Sequence, residues 1–84
     1  MKTRSLLLFL SIAWMTSTFA LSRPEADTLV AQGSKAYAAG DHKTALTLFD
    51  SAHTAYTSSA LLFNIGNCHF KLNDIPHAIL FYER

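Results

Sequence analysis

The chain repeats itself. Gly33 and Gly66 stand 33 residues apart, and sliding the sequence by that distance aligns much more than the glycines. Leu29 falls on Leu62, Tyr37 on Phe70, Asp41 on Asp74 and Ala45 on Ala78. Leu46 meets Ile79, Phe49 meets Tyr82, and the acids Asp50 and Glu83 coincide. Small, aromatic, aliphatic and acidic classes all hold at one offset. A period of this size marks an array of supersecondary units, each burying its apolar face on its neighbours. With 84 residues there is room for one small domain at most.

Each unit reads as two helices, so the expected fold is all-α. In Ala26 to Ala38, Leu29, Gly33 and Tyr37 are spaced by four and share one helical face. Gly40 can take a positive φ and stop that helix, and Asp41 can cap the next. His42 to Ala52 then carries Ala45, Leu46, Phe49 and Ala52 at amphipathic spacing. His53 to Ser58 is polar and loop-like, and Ser58 or Ser59 can cap a third helix running to Lys71. Asn73-Asp74 repeats the Gly-Asp turn, and Pro76 suits the first turn of a fourth helix, where its missing N–H costs nothing. Within each pair we expect Gly33 to face Ala45 and Gly66 to face Ala78, with Phe49 and Tyr82 filling the space beside them.

The first 20 residues have another character. Lys2 and Arg4 precede an apolar block, Leu6 to Met15, and then the small, weakly polar Thr16-Ser17-Thr18-Phe19-Ala20. That order predicts a secretory signal peptide over 1–20, cut after Ala20, and hence an exported protein of the periplasm or cell envelope. The apolar block is about half the roughly 20 residues that a membrane-spanning helix needs. No cysteine follows it to carry a lipid. Residues 21–25 are expected to be a short linker, 26–58 the first repeat and 59–84 a second, incomplete one. Because this repeat stops before its closing alanine, we expect the chain to be a piece of a longer product. The alternative is a chain that pairs with itself through its open helical end.

Half the residues are apolar, 15% are charged and the formal net charge is +1. Beyond residue 20, Arg23, Lys35, Lys43, Lys71 and Arg84 face Glu25, Asp27, Asp41, Asp50, Asp74 and Glu83, so the slight basic balance belongs to the leader. With no basic run there is no electrostatic footprint for nucleic acid.

The two-helix pattern, with its small residue in the first helix and its alanine and aromatic in the second, resembles the tetratricopeptide repeat. The likeness covers Ala26 to Arg84, and the second unit, LFNIGNCHFKLNDIPHAILFYER, carries it most closely. Thr57 stands where the family favours proline, and Gln32 where it favours leucine. More narrowly, the exported pair is similar to repeat proteins of the Bat aerotolerance operon of bacteria. The resemblance implies stacked antiparallel helix pairs forming a solenoid. It also implies a scaffolding or protein-binding role in the envelope, membrane-associated complexes included, and no catalysis.

The resemblance further implies a concave groove lined by the first helix of each pair. Its candidate contacts here are Tyr37, Phe63, Asn64, Asn67, Phe70 and Lys71. The asparagines would bond an extended peptide backbone, Lys71 a carboxylate, and the aromatics would offer apolar pockets or else pack on adjacent helices. Val30 and Ser34 stand where a carboxylate clamp needs lysine and asparagine, so no such clamp is expected.

Chemistry beyond binding finds little foothold. His42, His53, His69 and His77 include no i, i+4 pair, so no metal site is expected. Cys68 falls at a small buried position and is expected to be inert. Asp41 and Asp74 are explained as helix caps. No nucleophile elbow or phosphate loop is present, so neither a catalytic residue nor a cofactor is expected.

Overall fold

The computed structural model describes residues 20–84, and the leader expected over 1–20 lies outside them but for Ala20. Four helices make up the described part: α1 (Arg23–Ala38), α2 (His42–His53), α3 (Ser59–Lys71) and α4 (Ile75–Tyr82). No strand occurs among the described residues. Short turns fold α1 against α2 and α3 against α4, and α2 packs on α3, so the two hairpins are joined through the middle helices.

The helix ends follow local chemistry. Asp41 and Asp74 each accept from the backbone N–H three residues on, Thr44 and His77 respectively, and Ser58 does the same for Leu61. Gly40 has φ +83°, and Asn73 takes φ 64° at the equivalent place in the second hairpin. The two residue types best able to adopt the left-handed region therefore stop α1 and α3.

The linker expected over 21–25 is instead the start of α1. Ser22 and Glu25 form a reciprocal capping box, and Pro24 sits in the first turn, where no N–H is needed. Arg23, Pro24 and Glu25 thus start a helix, and Leu21 before them packs on the core. Arg23 then lies over the Tyr56 ring, 3.7 Å from its centre, tying this start to the loop between the hairpins. At the other end α2 runs through His53, one residue into the expected loop.

The core is made of Ala26, Ala45, Phe49, Ala52, Leu61, Ile65 and Cys68. The packing partner of the repeated glycine differs from the expected alanine. A Cβ on Gly33 would sit 2.8 Å from the Phe49 ring, and one on Gly66 would sit 2.7 Å from the Tyr82 ring. Each glycine is therefore a seat for the aromatic of the partner helix. Ala45 and Ala78 are buried within the same helix pairs. The 33-residue offset is thus repeated as one physical contact, made twice.

The two seats are not equally rigid. Phe49 is 1% exposed, whereas Tyr82 is 43% exposed. Gly33→Ala gains up to about 1 kcal/mol of helix propensity but drives a methyl into a ring with nowhere to go. Overpacking of that kind costs about 1–3 kcal/mol. Denaturant unfolding should therefore show Gly33→Ala destabilised, and Gly66→Ala less so, because Tyr82 can swing outward. Equal stability of both variants and wild type would refute this reading of the glycines.

Candidate functional site

Three of the six sequence-predicted groove residues come together. Tyr37 from α1 and Asn64 and Asn67 from α3, with Ser34, line a recess of about 110 Å³ whose remaining wall is Phe49 of α2. Tyr37 and Ser34 lie three apart on α1, as do Asn64 and Asn67 on α3, so each helix presents one turn to the recess. The Asn67 side-chain oxygen accepts a 2.6 Å hydrogen bond from the Tyr82 hydroxyl. Asn67 is thereby held from α4, and its amide N–H is what it has left to offer. Tyr37 is braced from the other side by the ring of His42, 4.8 Å away and tilted by 59°. The Nδ1 of His42 is buried there without a hydrogen-bond partner.

The other three predicted residues do not join this recess. Phe63 lies in a separate hollow with Ala60, Leu62, Phe81, Tyr82 and Arg84, its ring 5.6 Å from that of Tyr82. Phe70 is 55% exposed, and Lys71 is exposed beside it at the end of α3. Helical periodicity alone does not predict this split: Phe63 and Lys71 each lie four residues from Asn67 and share its face. What separates them from the recess is their place along α3 and, for Phe63, its packing on Tyr82 of α4. Phe49 was legible in the sequence only as a packing residue, because its role as a wall requires α1 and α3 to flank it.

A second constellation was missed altogether. His69 lies in the last turn of α3, Asp74 caps α4 and His77 lies in the first turn of α4. The tight turn brings the two imidazoles to 5.2 Å between centres, nearly parallel at 25°. Asp74 Oδ2 lies 2.9 Å from His77 Nδ1 and 3.5 Å from His69 Nδ1. Hydrogen bonding from the His77 side chain, and secondarily from its backbone N–H and from the charge of both histidines, holds the Asp74 carboxyl below its ordinary value. An i, i+4 spacing does not reveal this group, since its histidines belong to different helices. The signal that was present is Asp74 three residues before His77, in a turn predicted to reverse the chain.

Cys68, next to His69 in sequence, points the other way and is fully buried in the core. Burial, and then the neighbouring Asp50 charge, pushes its thiol up to about 11. Burial also raises the Asp50 carboxyl.

No protein-family profile, no curated protein and no solved structure matches the chain. No described helix is long and apolar enough to cross a membrane.

Two outcomes follow from these charges. Cys68 should resist alkylation at neutral pH in the folded protein and react promptly in denaturant; equal rates in both conditions would contradict the burial. The Asp74 carboxyl is depressed in the folded state, so its stabilisation is full above its unfolded value and is lost as pH falls through the folded one. The stability advantage of wild type over Asp74→Asn should therefore shrink below about pH 4, as read by thermal melts across pH.

Proposed function

We propose that this chain is an exported tetratricopeptide-repeat module of the bacterial cell envelope that binds an extended segment of a protein partner. The observation that carries the reading is the recess between α1 and α3, lined by Ser34, Tyr37, Asn64 and Asn67. It combines an aromatic face with amide and hydroxyl groups, the mixture that an extended peptide requires. The glycine–aromatic contact, repeated in both hairpins at the 33-residue offset, supports the repeat assignment. The basic, apolar and small-residue order of residues 1–20 supports export. The narrower likeness to the Bat aerotolerance repeat proteins supports a scaffolding role in that setting. The module would act by binding, without catalysis.

A second reading is self-association. Ile79 and Leu80 on α4 are each about half exposed, and so are Phe63 and Tyr82, which share a hollow with Phe81. An apolar face of this kind is suited to another helix.

Selection of peptides from a displayed library, followed by calorimetry, separates these readings. Under the binding reading, Tyr37→Ala or Asn67→Ala weakens a selected peptide about tenfold, the equivalent of ~1.4 kcal/mol, while Leu80→Glu leaves binding unchanged. If only Leu80→Glu matters, and it also abolishes dimers in sedimentation, the self-association reading stands instead.

A further inference from the structure

We propose that His69, Asp74 and His77 form a binding site for one divalent transition-metal ion of the zinc class, separate from the peptide recess. Their ligand atoms all lie within 4.8 Å of one another. Ligands held about 2.0–2.2 Å from a zinc ion at tetrahedral angles sit roughly 3.3–3.6 Å apart. Asp74 Oδ2 already stands at 2.9 Å and 3.5 Å from the two histidine Nδ1 atoms, close to that spacing. The two stacked rings, 25° apart, must turn toward each other to bring both lone pairs onto one ion.

Two of the three ligands are held in place by the fold. The His69 side chain is only 13% exposed and stacks on the rings of both His77 and Phe81, at 5.2 Å and 5.4 Å. Asp74 is fixed by its capping role, in which Oδ1 accepts from the His77 backbone N–H. That leaves Oδ2 turned toward both imidazoles. His77, on the exposed rim, is the freer of the two rings to turn.

The donor set selects the ion. Two imidazole nitrogens and one carboxylate oxygen suit zinc, copper and nickel, whereas calcium and magnesium prefer oxygen alone. Three protein ligands leave a fourth position for water or for a group from another molecule. The ion would clamp the end of α3 to the start of α4. Neutral imidazole is required, so binding releases protons and weakens as pH falls.

Zinc titration of the full chain by calorimetry tests the site. One ion per chain is expected, with no heat from magnesium. His77→Gln and Asp74→Asn should each weaken zinc at least about tenfold, since even partners outside the ligand set are worth 10–100-fold. Asparagine remains a good helix cap, so Asp74→Asn should keep its helix content. His53→Gln should bind as wild type. No saturable zinc uptake, or uptake untouched by His77→Gln and Asp74→Asn, overturns the proposal. Should a variant lose helix by circular dichroism, the imidazole nitrogen resonances of the wild-type chain decide. They shift at His69 and His77 when zinc is added if the site is real, and stay still if it is not.

Discussion

The whole arrangement depends on a helix pair approaching closely enough to seat an aromatic ring on bare backbone. At Gly33 the ring is that of Phe49, and at Gly66 it is that of Tyr82. A side chain at Gly33 would press on the enclosed Phe49 ring and hold its pair apart, whereas one at Gly66 would meet the partly exposed Tyr82 ring. The glycine gives up helix propensity, and the dispersion contacts of a whole ring offset that loss. Both hairpins use this one solution, and their turns and the Asp41 and Asp74 caps fall at corresponding places.

Equal seats lead to unequal surroundings. Phe49 is enclosed because α3 packs over α2, and it becomes both core and wall of the recess. Tyr82 occupies the corresponding seat but remains partly exposed, and its hydroxyl reaches across to Asn67. A phenylalanine there would fill the seat equally well, but only a tyrosine can orient an asparagine in the neighbouring helix. The second hairpin thus supports the recess that the first one helps to line.

The turn between α3 and α4 has a comparable double use. Asn73 in the left-handed region and Asp74 as cap are what any tight helix–helix turn needs. Because the turn is so short, it also lays the first turn of α4 against the last turn of α3, and two histidines stack across it. The capping carboxylate is then shared between backbone and imidazoles. A side chain explained by its structural duty alone acquires a second set of neighbours.

Much of this was legible in the residues. The offset between Gly33 and Gly66, the caps at Asp41 and Asp74 and the stop at Gly40 depend on local backbone chemistry, and the helices form where those signals stand. The start of α1 was equally local but was hidden by reading Ser22, Pro24 and Glu25 as linker residues when together they make a capping box. What tertiary structure alone decided is which faces meet. Tyr37, Asn64 and Asn67 converge while Phe63, Phe70 and Lys71 do not, because where the helices cross along their lengths sets that choice. The same holds for His69 and His77, eight residues apart in sequence yet stacked in space. Sequence periodicity orders residues around one helix axis; the distance between side chains on two axes exists only once the helices have packed.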